Sequence, residues 1–309
     1  DVNIIGNTAL FRMNKAAYKG EHNHIFMING STNVILENVR ANNSGGDGIY
    51  VGAYRTQKRF SENVRINNVK ADNNRRQGLS VISANKLYVE KCTFSNTKGA
   101  LPEAGVDVEP SLPTDILKEV RFRNCIANGN TGRGFSVILI KINSESNPVD
   151  ISFENCKALN NNIGFSNRYF REGTKGVVKF IDCISENSEE AGFWEGSCAA
   201  SGASKEYIRC IAKNNNLGKK SSDSMLQYAG FRISNFDKRK KKELGNSTFI
   251  DCQSINTEKN SRLDYGFSAA ENVIFKNVEI KNFKSTGHSK GVINVGKKNR
   301  LTSSIKIIE

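Results

Sequence analysis

Along most of this chain apolar and polar residues alternate in short bursts, and a glycine precedes each burst. The phrase reads Gly48-Ile49-Tyr50-Val51, Gly78-Leu79-Ser80-Val81, Gly105-Val106-Asp107-Val108 and Gly134-Phe135-Ser136-Val137. It continues as Gly164-Phe165-Ser166-Asn167, Gly192-Phe193-Trp194-Glu195, Gly230-Phe231-Arg232-Ile233 and Gly266-Phe267-Ser268-Ala269. The intervals are 30, 27, 29, 30, 28, 38 and 36 residues, a period that marks stacked repeats. Alternation at a spacing of two predicts a strand in each copy, with the residue after Gly pointing inward and the next outward. The outward residues of successive copies then form a column: Tyr50, Ser80, Asp107, Ser136, Ser166, Trp194, Arg232 and Ser268.

A second phrase lies upstream of each strand: Glu37-Asn38-Val39, Asn67-Asn68-Val69, Glu90-Lys91-Cys92, Arg123-Asn124-Cys125, Glu154-Asn155-Cys156, Ile181-Asp182-Cys183, Ile208-Arg209-Cys210, Ile250-Asp251-Cys252 and Lys276-Asn277-Val278. Six of the seven cysteines share one slot with Val, as expected for reduced Cys packed as a small hydrophobe. Their even spread argues against a disulfide framework. The lack of a close Cys pair or Cys–His cluster argues against zinc. Cys198 is off register and is read as a free thiol. Asn-rich turns follow, such as Asn73-Asn74 and Asn160-Asn161-Asn162, and Asn tolerates left-handed backbone. The expectation is one all-β domain over residues 1–309, a single right-handed parallel β-helix of about ten turns and roughly 45–50 Å.

The formal net charge is +14, which suits an anionic partner. No nucleic-acid motif accompanies it, and no run is long enough to cross a membrane. The run Lys238-Arg239-Lys240-Lys241-Lys242 is read as a solvated loop. No signal peptide is evident, so the chain is read as a mature or trimmed form.

The whole chain resembles the pectate-lyase-like superfamily of right-handed β-helix proteins. Ser44-Gly45-Gly46-Asp47-Gly48-Ile49-Tyr50-Val51-Gly52, Arg75-Arg76-Gln77-Gly78-Leu79-Ser80-Val81 and Ala104-Gly105-Val106-Asp107-Val108-Glu109-Pro110 carry the likeness. It implies a polysaccharide lyase, glycoside hydrolase or epimerase, with an extracellular, periplasmic or cell-surface location. Gly45-Gly46-Asp47 resembles the first catalytic phrase of polygalacturonase-like hydrolases, but Arg76-Gln77 stands where their Asp-Asp pair should be. Gly105-Val106-Asp107-Val108-Glu109 matches the mannuronan-epimerase phrase at its Gly and Asp and lacks its His.

One face gathers the candidate chemistry. Asp47, Tyr50, Arg76, Asp107 and Glu109 fall on three successive copies. Aligning Ile25 with Ile49 brings His22 and His24 beside them, and these six groups other than His22 are the candidate catalytic set. Asp107 and Glu109 are two residues apart on one side of a strand, roughly 7 Å, and Asp47 is two rungs from Asp107, roughly 10 Å. Hard carboxylate oxygens also make Asp107 and Glu109 candidate Ca²⁺ ligands. His22, Ser80, Arg133, Arg168, Tyr169 and Trp194 are candidate substrate contacts, the aromatics as platforms for sugar rings. Three functions remain open. The first is β-elimination or C5 epimerisation of a uronic-acid polysaccharide, with a cation neutralising the carboxylate and a base exchanging the proton. The second is inverting hydrolysis by two carboxyl groups. The third is a non-catalytic glycan-binding or adhesin-like rod.

Overall fold

The structure, a computed structural model, describes residues 2–218, 229–236, 243–257, 263–269, 274–295 and 305–308. The basic run at 238–242 lies outside them. The chain coils into a right-handed parallel β-helix of about nine turns, as the sequence period leads one to expect. The Gly-phrase strands stack as one parallel sheet, including Asp47–Tyr54, Gln77–Val81, Ala104–Val108, Arg133–Ile138, Ile163–Arg168, Phe193–Gly196 and Ala229–Ser234. Longer strands such as Leu117–Arg123 and Ser204–Ile208, and three-residue strands such as Ile126–Asn128, complete each turn. Among the described residues no helix is long and apolar enough to cross a membrane.

The outward column is in register as expected: Tyr50, Ser80, Asp107, Ser136, Ser166, Trp194, Arg232 and Ser268 pair in sequence. Inside, the slot after Gly changes from aliphatic Ile49, Leu79 and Val106 to a phenylalanine stack. Phe135, Phe165, Phe193 and Phe231 lie 4.7–5.0 Å apart and nearly parallel. Phe153, Phe180, Tyr207 and Phe249 stack opposite, meeting the first column edge to face, the geometry aromatic quadrupoles favour.

The turns are held by two ladders. Asn73 donates to Asn43, Asn68 to Asn38 and Asn155 to Asn124, and these asparagines take left-handed backbone, with φ of 49–59°. Asn short-circuits that conformational penalty with local hydrogen bonds. The six in-register cysteines are buried and unbridged, and so is Cys198. Each ladder thiol lies against the carbonyl two residues earlier, as Cys183 does with Ile181.

One alignment differs. The inward residues of the first Gly-phrase sheet strand are Phe26 and Ile28, and Phe26, not Ile25, pairs with Ile49. Met27 points outward and is exposed. The shift of one residue puts His24 level with Asp47.

Candidate functional site

Asp47, Gln77, Ser80 and Asp107 sit on three adjacent strands, with Asp47 opposite Gln77 and Ser80 opposite Asp107. Pointing outward does not expose them. Asp47 and Asp107 are 0% exposed, because rungs only about 4.8 Å apart leave no room for solvent between neighbouring long side chains. Half-buried Tyr50, Arg76, Glu109, Arg133, Arg168 and Tyr169, with exposed His22, form the surface over them.

A hydrogen-bond chain links the buried groups. The Asp47 amide donates to His24 Nδ1 at 3.1 Å. Nδ1 is therefore the lone-pair nitrogen, and Nε2, buried with no hydrogen-bond partner, carries the ring proton. Asp47 Oδ2 is 3.3 Å from the same Nδ1. Burial pushes the Asp47 carboxyl up to about 7, opposed by Arg76. Burial, with His22 and Arg76 nearby, pushes His24 down to about 4. Between about pH 4 and pH 7 the two therefore meet as a carboxylic acid and a neutral imidazole, and not as an ion pair.

Asp47 Oδ2 lies 2.7 Å from Ser80 Oγ, which also contacts Gln77 Oε1. One hydroxyl proton serves one acceptor, so a protonated Asp47 donating to Ser80, and Ser80 donating to Gln77, satisfies both contacts. Arg76 Nη1 donates to Gln77 Oε1 at 2.7 Å, which leaves the Gln77 amide to donate to Asp107 Oδ2 at 2.7 Å. Glu109 follows Asp107 by two residues on the same side of the chain, near enough for the Asp107 charge to act on it. Burial first, then Asp107, raises Glu109 to about 7, and burial raises Asp107 as well.

Arginines surround this chain. Arg76 Nε reaches Glu21 at 3.1 Å and its Nη1 reaches Asp47 at 3.7 Å. Arg133 and Arg168 flank Asp107 electrostatically. Burial, and then Arg168, lower Arg133 to about 10. The buried Nε of Arg133 and of Arg168 meets no hydrogen-bond acceptor among the described residues.

Several expected roles change. Ca²⁺ does not fit Asp107 and Glu109: they lie among the guanidinium groups of Arg76 and Arg168, and no three His, Cys, Asp or Glu converge among the described residues. Ser80, 1% exposed, belongs to the buried chain and not to the contact surface. Trp194 is not a platform, being 6% exposed, with Arg232 over its ring at 4.6 Å and its indole N–H donating to Ser234 Oγ. His24 is nearly covered and stacks on Tyr50 at 4.9 Å. Gln77 and Glu21 are site members that strand logic did not select. Gln77 shares the pre-Gly slot with Asp47, which was the available signal; Glu21 sits outside any strand.

The raised carboxyls make stability fall with pH. A folded-state pKa of about 7 for Asp47, against 3.8 ordinarily, means the native state binds the proton more tightly. Its contribution is present below about pH 4 and is lost as pH rises through about 7. His24 acts oppositely between about 4 and 6.5. Asp47→Asn should flatten the decline in melting temperature between pH 5 and pH 8. An unchanged decline would place the proton elsewhere.

Comparison with known proteins places the fold. Residues 2–169, just over half the chain, match the right-handed β-helix region family. Aligned over 153 positions, 44% of this chain is matched at 27% identity to uncharacterized protein YclG of Bacillus subtilis (strain 168), covering 26% of that protein. Pectate lyase Pel9A superposes with a TM-score of 0.54 and 16% identity, over 82% of this chain and 59% of that one. The catalytic domain of Agl-KA gives 0.61 and 12% identity, over 92% and 48%. The chain thus spans about a quarter of the curated relative and about half of the two solved structures. At these identities the structural likeness is one of fold. The chain belongs to the right-handed β-helix family.

Proposed function

We propose that this protein is a carbohydrate-active enzyme that acts on a uronic-acid polysaccharide by β-elimination or C5 epimerisation. The observation that carries the reading is the Arg133–Arg168 pair. Burial, and then the neighbouring Arg168 charge, lowers Arg133, and each arginine holds a buried N–H without an acceptor. A bound carboxylate would relieve both the repulsion and the unmet hydrogen bonds. The net charge of +14 and the pectate lyase among the structural neighbours support it.

In this mechanism the arginines neutralise the uronate carboxylate and so acidify the adjacent carbon. Glu109, half-exposed with a pKa of about 7, is the base that takes the C5 proton. Tyr50 keeps its proton because burial raises its pKa. It donates that proton to the departing O4 as the C4–O bond breaks, or to the opposite face of C5 in epimerisation. His24, with its proton on the covered Nε2, is not the base. Asp47, Ser80, Gln77 and Asp107 are positioning residues that hold Glu109 and Arg76. Inverting hydrolysis is less well supported, because it works through two carboxyl groups and gives the Arg133–Arg168 pair no role.

Incubation with pectate and alginate tests the reading through ultraviolet absorbance of unsaturated uronate and through deuterium uptake from solvent. Neither signal, from a folded protein, sinks it. Arg133→Ala should weaken polymer binding roughly tenfold, the scale of one charge-assisted contact, and the deficit should shrink with added salt.

A further inference from the structure

We infer that Tyr169 and Phe236 form a sugar-stacking shelf on the site face, so that the protein engages a polymer over several turns and not a short oligosaccharide. The inference rests on the polysaccharide reading above. Phe236 is 38% exposed, although it is a large apolar ring. Its ring lies 5.0 Å from that of Tyr169, tilted by 33°. Trp194 supports it from beneath, edge to face at 5.0 Å. The Phe236 amide donates to Ser197 Oγ at 2.9 Å, which fixes the start of that turn.

Two backbone features serve the shelf. A side chain at Gly196 would come within 2.3 Å of the Phe236 ring, so only glycine lets the ring lie down on the strand. Tyr169 has a left-handed φ of 56° and donates its amide to the Gly196 carbonyl at 2.9 Å. A bulky residue in that conformation is unfavourable and marks a position where ring direction is imposed. The paired rings present an apolar face beside Arg168. A sugar ring, with its C–H face and polar rim, has the matching chemistry for an aromatic surface edged by a cation.

The register gives the distance. From Asp107 the outward column runs through Ser136, Ser166 and Trp194 to Arg232. Tyr169 follows the second of these rungs beyond Asp107 and Phe236 follows the fourth. The two rungs that carry the rings therefore lie roughly 10 and roughly 19 Å along the rod from Asp107, and the rings lean together between them to 5.0 Å. A disaccharide seated at Glu109 cannot reach it, and a longer chain can.

Trp194 is the only tryptophan, so its emission reports on the shelf independently of turnover. The probes are oligogalacturonates and oligoalginates, each as dimer and octamer. The octamer of the bound series should shift Trp194 emission and the dimer should not. Phe236→Ala should weaken octamer binding roughly tenfold and leave dimer binding unchanged. Tyr169→Gly, which suits the left-handed backbone, should keep or raise the melting temperature and lose the same affinity. If both variants bind the octamer as the parent does, or lose both lengths equally, the shelf is rejected while the site at Glu109 stands. If the parent binds neither series, shelf and functional reading fall together.

Discussion

Glu109→Gln should lower turnover on a uronate polymer by roughly 10²- to 10⁴-fold, the contribution of a general base, with little change in melting temperature. Glu109 is half-exposed, and glutamine keeps its shape. Asp107→Asn should behave differently. Asp107 is fully buried and accepts from Gln77. An asparagine can still accept from Gln77 through its carbonyl. The variant should fold, and Glu109 should lose the carboxyl neighbour that helps hold its pKa near 7. Its ionisation then moves down, so the acidic limb of the kcat/KM profile should move to lower pH. Normal turnover by Glu109→Gln, or an unmoved limb with Asp107→Asn, would reject this division of roles.

The largest effect on stability is expected inside the rod. Glu195 and Lys205 are both buried, with Nζ 3.7 Å from Oε2. Ser247 Oγ donates to Glu195 at 2.8 Å, Lys205 donates to the Gly245 carbonyl, and its ammonium lies 5.5 Å from the Phe170 ring. Lys205→Met leaves a buried carboxylate without its cation, and loss of one partner of such a pair typically destabilises by about 3–5 kcal/mol. Burial already raises Glu195, so the orphaned group would take up a proton, and the deficit should be smaller at pH 5 than at pH 8. Combining Lys205→Met with Glu195→Leu should restore stability to the parent value or above it, because well-packed apolar replacements of buried pairs are often neutral or stabilising. Denaturant unfolding of the three proteins at both pH values decides it; a double variant as unstable as Lys205→Met would show that the loss is one of packing.

The fold was legible because stacking forces repetition. One Cys or Val per turn, one Gly phrase per turn and one Asn turn between them leave little but a parallel solenoid. The site was legible as a set of columns and illegible in depth. Asp107 was correctly placed outward, but alternation cannot say that rung neighbours close over it. His24 was misplaced by one residue because the first turn carries an irregular segment, with a short 3-10 turn at Lys15–Ala17, before its strand begins. The interior pair was visible and unused. The inward slot runs Val51, Val81, Val108, Val137 and then breaks to Asn167 and Glu195 before Ile233.

That break bears on how the chain finds one fold among many near-equivalents. Turns built from copies of one phrase are interchangeable partners, and a chain of them can assemble one turn out of step while burying similar apolar area. The slot that holds Lys205 is Val178 one turn earlier and Ser247 one turn later. Out of step, Glu195 would face an aliphatic or a hydroxyl group and Lys205 would be stranded without a counter-ion, a penalty of several kcal/mol that no aliphatic turn could impose. The pair thus acts as an address label, paid for in desolvation, in an otherwise uniform stack.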